Sequence, residues 1–315
     1  MSKQKVTTKK ENKTNLFVYL WQNKWLYLML LPAVIWVIVF NYIPMGGITV
    51  AFKSFNYMKG IFGSPWCGLQ NFKFMFMTNT IWKIIFNTIF LNVLFIVTGT
   101  LAQLVLALLF CEIKNKMVKK VTQSIAILPH FISWAVIAMF LTGFLNQNGI
   151  VNQILEGMGK ESIKFYSEAG YWRGIFVFLK IWQGAGFGTI VYIAAITGFD
   201  QGMYEAAKID GANRFQQIFK ITLPLLKTTI VLLTLMSIGN IFKGDFGMIY
   251  AVIGDNALLY DTTDVIDTYV YRIFRTNSNL GMSTAVSVFQ SLVGLIMVFS
   301  ANLVVKKVDP DSAMF

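Results

Sequence analysis

The chain has 315 residues, of which 56% are hydrophobic and 13% are charged, and its formal net charge is +12. Soluble domains carry about 25% charged residues, so a chain this poor in charge cannot cover its surface in water. The composition therefore excludes an ordinary soluble domain and predicts a membrane protein. The basic excess does not indicate a nucleic acid partner, because the basic residues stand at the ends of apolar runs.

Charge-free apolar intervals predict an all-α membrane protein with six transmembrane helices. A helix needs about 20 apolar residues to cross a hydrocarbon core of roughly 30 Å. In chain order, the predicted spans lie within residues 25–43, 83–112, 121–145, 174–199, 224–253 and 280–305.

These spans define the domain organisation and the orientation that we expect. The units are a cytoplasmic tail (1–24), a first transmembrane helix (25–43), an extracellular or interfacial segment (44–82), a five-helix core (83–305) and a second cytoplasmic tail (306–315). The first tail is polar and Lys-rich and no small-residue cleavage site follows, so we expect a retained helix and no cleaved signal peptide. Most Lys and Arg residues lie in the loops on the side of the N-terminus, which predicts that both termini are cytoplasmic.

The loop at residues 200–224, between spans four and five, is too polar to enter lipid. It predicts two short helices joined at Gly211, with Asp200 capping the first helix and Asn213 capping the second. Pro224 suits the first turn of the next helix, where its missing N–H costs nothing.

Small and charged side chains make the first of these short helices a candidate docking surface. Ala206 and Ala207 allow another protein's backbone to come close, and Glu205 offers a carboxylate to a basic partner. The alternative is an amphipathic segment on the inner leaflet, which four basic residues between 208 and 227 favour. That alternative explains neither the Glu-Ala-Ala triplet nor its distance from Gly211.

The same residues resemble the EAA signature of permease subunits of bacterial ABC importers. Glu205-Ala206-Ala207, three residues, Gly211, nine residues and Ile221-Thr222-Leu223-Pro224 match every defining position of that signature. The resemblance covers nearly the whole chain, because further stretches look like the polysaccharide branch of the maltose-type sugar permeases. These stretches are residues 41–47, 51–56, 63–69, 128–134 and 261–270.

The resemblance implies a type I ABC importer permease in a bacterial cell membrane. The partners that it implies are a second related permease, two ATP-binding subunits, an extracellular substrate-binding lipoprotein, an oligosaccharide cargo and membrane lipid. It also implies that residues 200–224, here called the EAA loop, form a coupling helix seated in a cleft on the ATPase. The implied coupling residues are Tyr204, Glu205, Ala206, Ala207, Asp210, Gly211, Ile221 and Pro224.

The sequence contains no motif for nucleotide binding, metal binding or catalysis. It contains no G-x-x-x-x-G-K-[ST] phosphate loop, so we expect ATP and Mg²⁺ to bind only to the partner ATPase subunits. One histidine and no metal-ligand spacing predict neither a metal site nor an enzyme. The alternatives to a transport subunit without cofactors are a self-sufficient secondary transporter and a membrane enzyme or scaffold, and the EAA loop argues against both.

The fifth span contains candidate residues of the translocation path. Only 15 charge-free residues separate Lys227 from Lys243, about 22 Å of helix, so the span is expected to continue through residues 243–245. Charges near the bilayer centre usually face a wet cavity or a partner, which makes Asn240, Lys243 and Asp245 candidates. The alternative is a shallow position at an ordinary helix end.

The fourth span contains two further candidates, Trp182 and Gln183, followed by small residues at 184–188. An aromatic face and an amide suit a sugar ring and its hydroxyls, whereas small residues also allow close helix packing. In the third span, we expect His130 to bond carbonyls that Pro129 leaves unpaired.

Overall fold

A computed structural model of the chain describes residues 21–76, 80–308, 310 and 313. Within these ranges the chain is helical, and the isolated bridge between Lys53 and Trp66 is the extended pairing they contain. Six segments are long and apolar enough to cross a membrane, which confirms the predicted number of spans. Spans one to six are Lys24–Phe52, Thr80–Glu112, Trp134–Gly157, Ala169–Thr197, Arg214–Ile238 and Leu280–Lys307.

Shorter helices and turns connect the spans. They are Gly60–Gly63, Gln70–Phe76, Lys116–Ile127, Leu128–Phe131, Gln201–Ile209, Phe246–Ile253, Ala257–Leu259, Tyr260–Thr263 and Ile266–Asn277. The predicted first tail lies outside the described residues except for 21–24, and so does much of the predicted second tail.

The first span stands apart from the other five. Helix Lys24–Val37 passes without interruption through a π turn, Ile38–Tyr42, and neither element contains a buried residue. The last part of this span, Gly46–Phe52, packs against span six.

Span four lies at the centre of the bundle and makes its most extensive contact with span two. Trp172, Phe176 and Leu179 belong to one core cluster near its beginning, and Tyr192 belongs to another near its end. Apolar burial along its whole length therefore fixes span four against its neighbours.

The predicted third span, residues 121–145, is not a single helix. Helix Lys116–Ile127 ends first, and a second helix, Trp134–Leu145, follows after a break. Pro129 lies in the break and accounts for it, because it has no N–H and its ring clashes with the preceding turn. Ser133 then caps the second helix with its side chain.

The predicted fifth span, residues 224–253, is also broken rather than one continuous element. The helical backbone from Arg214 to Ile238 has 25 residues, about 37 Å, and it ends at residue 238. Residues 239–245 form turns, and helix Phe246–Ile253 begins after them. Asp245 caps the new helix by accepting from the Met248 N–H at 3.1 Å.

The glycines at residues 184, 186 and 188 of span four differ in how closely neighbouring atoms approach them. A Cβ added at Gly186 would lie 1.9 Å from the backbone oxygen of Ala126, so two backbones meet here. At Gly188 the same atom would lie 2.3 Å from the side chain of Gln103, whereas nothing lies within 4 Å at Gly184. Close packing, as expected of small membrane residues, therefore applies to the middle of the run.

This contrast predicts that Gly186→Ala destabilises the protein and Gly184→Ala does not. The added methyl at residue 186 has no room against rigid backbone, and overpacking of this kind costs about 1–3 kcal/mol. At residue 184 alanine should be neutral or stabilise the helix by about 0.5–1 kcal/mol. The thermal unfolding midpoint of the detergent-solubilised subunit measures both effects, and equal midpoints for the two variants would contradict this packing.

Candidate functional site

The EAA loop begins with helix Gln201–Ile209, which ends in a tight reversal at Gly211. Asp200 caps the helix by accepting from the Gly202 N–H at 2.9 Å, as predicted. Gly211 has φ +78°, a left-handed conformation that favours glycine. Its N–H donates to the Lys208 carbonyl at 3.1 Å, and the Ala212 N–H donates to the Ala207 carbonyl at 2.8 Å. This pair of hydrogen bonds is the Schellman motif that closes a helix C-terminus.

The second part of the loop leads directly into span five. Asn213 and Gln216 form the two reciprocal hydrogen bonds of a capping box, at 2.9 and 2.8 Å, which confirms the predicted cap. The helix then passes through a π turn, Ile218–Thr222, into Leu223–Ile238 without leaving helical backbone conformation. Pro224 lies in the first turn of that helix.

Side chains on the inner side of the loop hold its two parts together. The hydroxyls of Tyr204 and Thr222 are 3.0 Å apart, and Gln217 Nε2 donates to the Ala212 carbonyl at 3.0 Å. Arg214 Nη1 lies 3.3 Å from Glu112 Oε2, which ties the loop to the end of span two. The loop is therefore anchored at several points.

The signature residues divide between this inner side and an exposed surface. Tyr204, Ala207 and Ile221 are half-buried. The exposed members are Glu205, Ala206, Asp210, Gly211 and Pro224.

Three large apolar side chains lie beside the exposed signature residues, and sequence analysis did not identify them. Ile209, Phe215 and Phe219 are 87%, 73% and 66% exposed. The four-residue spacing of the two phenylalanines on a helix was the available signal. A surface that combines exposed aromatic residues with a carboxylate is typical of a protein interface.

A second site surrounds the break in span five. A cavity of about 480 Å³ lies between spans two, four and five. Three polar side chains approach the break from other spans. Asn92 lies 12 residues after Thr80, the start of span two, and Lys180 lies 8 residues after Trp172 in span four. Gln290 lies 10 residues after Leu280, the start of span six. At 1.5 Å per residue these positions are about 12–18 Å along their helices. The break therefore lies about a third of the way along these three helices, counted from the same end of the bundle.

Polar side chains from other elements pair the backbone groups of the break. Asn92 Nδ2 donates to the Lys243 carbonyl at 3.1 Å, and Gln290 Nε2 donates to the Phe242 carbonyl at 2.8 Å. Asp267 accepts from the Gly244 N–H and, at 3.0 Å, from Gln290. Backbone groups that no longer pair within a helix thus find partners inside the protein, as a lipid environment requires.

Charged side chains of both signs lie in and beside the cavity. Lys180 Nζ forms an ion pair with Asp245 Oδ2 at 2.5 Å, and both side chains are partly shielded. Lys243 also lines the cavity, and its charge interacts with the nearby carboxylate of Asp267.

The structure brings some of the predicted path residues together and separates others. Asn240, Lys243 and Asp245 all line the cavity. Trp182 instead lines an apolar pocket formed with the third span. Gln183 donates through Nε2 to the Ile132 carbonyl at 3.1 Å and so pairs a backbone group at the break in that span.

The expected hydrogen bonding of His130 is replaced by a stacking contact. Its ring lies parallel to that of Phe187, with centroids 4.1 Å apart. A backbone carbonyl within the break, that of Ile132, receives the Gln183 amide instead.

Several residues of the site were missed by sequence analysis. A polar side chain inside an apolar interval was the signal at Asn92 and Gln290, and an isolated positive charge was the signal at Lys180. Asp267 lies in a polar segment and gave no such signal.

The segment that carries Asp267 is itself held by a buried ion pair. Asp264 accepts from Arg272 Nη2 at 2.5 Å and from Thr268 Oγ1 at 2.8 Å. Burial raises the pKa of Asp264 above its ordinary value, although Arg272 and Thr268 act in the opposite direction. Lys83 in span two pairs with Asp261 at 2.5 Å, so the segment is also tied to that span.

Comparison with known proteins identifies the family. The profile described as "Binding-protein-dependent transport system inner membrane component" matches residues 103–310. The chain is 36% identical over 291 residues to Protein LplB of Bacillus subtilis, covering 92% of this chain and 91% of the relative. It is 38% identical over 303 residues to the polygalacturonan/rhamnogalacturonan transport system permease protein YteP of the same species, covering 96% and 94%.

Two solved structures of a bacterial alginate ABC transporter contain a similar chain. One, in complex with an alginate pentasaccharide-bound periplasmic protein, has a TM-score of 0.83 and 34% identity, covering 93% of this chain and 98% of that one. The other has a TM-score of 0.84 and 34% identity, covering 93% and 99%. The chain belongs to the family of binding-protein-dependent transport system inner membrane components and is an ABC importer permease with the type I fold.

Proposed function

We propose that this permease forms half of the translocation path for an oligosaccharide. Transport would be driven by ATP hydrolysis in a separate ATPase that binds the EAA loop. The main support is the construction of that loop. Its two helices are capped, closed by the Schellman motif at Gly211 and anchored to span two by Arg214, while Glu205 and three large apolar side chains remain exposed. A rigid surface of this kind suits docking into a cleft on another protein.

The energetics favour docking of the whole loop over a single contact. Converting a two-state bundle from mostly closed to mostly open takes about 5.5 kcal/mol of differential interaction. Losing one partner of a buried interfacial ion pair costs about 2–5 kcal/mol, and much of this is desolvation. Glu205 would therefore set the register of docking, and Ile209, Phe215 and Phe219 would contribute the apolar contact.

The proposed cargo is a saccharide because the cavity has suitable ligands and related transporters carry saccharides. Amides of Asn92, Gln103 and Asn240 and the rings of Phe95 and Phe246 line the cavity. Amides match sugar hydroxyls, and aromatic faces match the apolar face of a pyranose. The names of the relatives mention polygalacturonan, rhamnogalacturonan and alginate.

The proposed assembly contains a second related permease, two ATP-binding subunits and an external substrate-binding lipoprotein. A second subunit would line the rest of the path. ATP and Mg²⁺ would bind to the ATPase subunits, and this chain would bind no cofactor. The EAA loop and both termini would be cytoplasmic in a bacterial cell membrane, and residues 44–82 would lie outside.

Substitutions at Gly211 should separate insertion from coupling. Gly211→Val is disfavoured at φ +78°, by about 1–2 kcal/mol, and should distort the reversal, whereas asparagine tolerates this conformation. We expect both variants to reach the membrane in normal amounts. Gly211→Val should lose ATPase co-purification and ATP-dependent uptake, and Gly211→Asn should retain most of both.

A steric clash of the new side chain's Cβ does not affect the comparison of the two variants, because no atom lies within 4 Å of a Cβ added at Gly211. Full uptake in Gly211→Val would contradict the coupling role. Purification of the wild-type subunit without any ATPase, together with proton-driven uptake, would favour a secondary transporter instead.

Cysteine labelling should establish the proposed orientation. Met58 and Ile209 are 95% and 87% exposed and lie on opposite sides in the proposed topology. With Cys67 and Cys111 replaced by serine, an impermeant maleimide should label Met58→Cys in intact cells. It should label Ile209→Cys only after permeabilisation, and the reverse pattern would invert the topology.

A further inference from the structure

We infer that a phosphate group binds in a second cavity, on the inner side of the EAA loop, and joins the loop to helix Lys116–Ile127. This cavity has a volume of about 190 Å³. Its walls are the ends of spans two and four, both helices of the loop and helix Lys116–Ile127. The site is separate from the exposed surface proposed to dock the ATPase and from the cavity at the break of span five.

Three elements each supply a basic side chain to the cavity. Lys119 comes from helix Lys116–Ile127, Lys208 from the first helix of the loop and Arg214 from the second. Lys208 lies four residues after Tyr204 and so shares the helix face on which the Tyr204 hydroxyl meets that of Thr222. An anion in the cavity would therefore lie between all three elements.

The acidic residues near the cavity do not balance these charges. Glu112 is the carboxylate of the described lining, and it lies 3.3 Å from Arg214 Nη1. Lys119 also interacts with the Cys111 thiol, which carries no charge at neutral pH. Over residues 112–120 and 200–220, seven basic residues stand against four acidic ones, so the wider surroundings are positive as well. The resulting potential attracts an anion.

The size and the donors of the cavity suit a phosphate group. Its volume is below the roughly 300 Å³ at which pockets for drug-sized ligands begin, which favours a small group over a nucleotide or a peptide segment. Arginine and lysine are the usual partners of phosphate oxygens. The Gln201 amide and the hydroxyls of Thr197 and Tyr204 add neutral hydrogen-bonding groups to the lining.

The cavity lies where three spans leave the membrane. Glu112 and Thr197 are the last residues of spans two and four, and Arg214 is the first residue of span five. Helix Lys116–Ile127 carries exposed apolar residues four positions apart, as expected of a helix on a bilayer surface. They are Met117, Val121 and Ile125. Basic pockets between helices at this level bind acidic headgroups, so the phosphate has two sources, an anionic phospholipid and free inorganic phosphate.

The test is a titration of the delipidated, detergent-solubilised subunit, with its thermal unfolding midpoint as the readout. A ligand that binds the folded state raises this midpoint. The probes are phosphatidylglycerol and sodium phosphate, and their references are phosphatidylcholine, which has no net charge, and sodium chloride. Ionic strength is held constant so that general screening does not contribute.

We expect phosphatidylglycerol, sodium phosphate or both to raise the midpoint above the references. A rise with the lipid alone identifies a headgroup site, and a rise with sodium phosphate identifies a site for the free anion. Lys119→Met/Lys208→Met should increase the half-effective concentration of the stabilising probe at least tenfold. The charge-preserving pair Lys119→Arg/Lys208→Arg should stay within about threefold of wild type.

The matched control is Lys116→Met/Lys120→Met. Both lysines are exposed on the same helix as Lys119 and do not line the cavity, so this pair removes the same charge from the same surface. It should change the half-effective concentration less than twofold. Single Lys119→Met and Lys208→Met variants, each expected to lose at least threefold, keep the comparison valid if the double variant does not fold.

Two results would overturn the inference. One is an equal loss in the control pair, because diffuse surface charge would then account for the binding. The other is a wild-type midpoint that neither probe raises above its reference. None of these measurements uses transport or the ATPase, so either result would leave the proposed function intact.

Discussion

The whole architecture depends on one constraint, which is that a backbone group within lipid must find its hydrogen-bond partner inside the protein. Two of the predicted spans are broken, and side chains from other helices meet the constraint at both breaks. Asn92 and Gln290 pair the carbonyls of the fifth span, and Gln183 pairs a carbonyl of the third. Each unpaired group would cost several kcal/mol, so these amides make the breaks possible. The break in span five in turn gives the bundle its polar cavity and places Lys243 and Asp245 in it.

The break and the EAA loop are the two ends of one helix. Leu223–Ile238 runs about 24 Å from the base of the loop to the turns at 239–245. Because the loop is tied to this helix by Tyr204 and Thr222, a rigid displacement of the loop would be transmitted along the helix axis to the cavity. The proposed coupling therefore needs no separate relay through the rest of the bundle.

Features that depend on neighbours in the chain could be predicted from the sequence, and those that depend on distant partners could not. Apolar length predicted six spans, and short-range capping rules predicted Asp200 and Asn213. Pro129 was a sequence signal for the break at residues 128–133, whereas the break at 239–245 escaped prediction because hydropathy does not register hydrogen bonds. The ion pair of Lys180 with Asp245 joins residues 65 positions apart. Trp182 lies two positions after Lys180, about 200° around the helix, which places it away from the cavity.

The central claim is that a wet cavity at the break responds to the ATPase through the EAA loop. Its most direct test is the rate at which a charged methanethiosulfonate modifies Ser237→Cys in the assembled transporter, with Cys67 and Cys111 replaced by serine. Ser237 lines the cavity, whereas Val97 is exposed on span two and does not line it, so Val97→Cys is the control that we expect to face lipid. We predict modification at 237 but not at 97, at a rate that changes on ATP binding. Equal, nucleotide-independent rates at both positions would contradict the account.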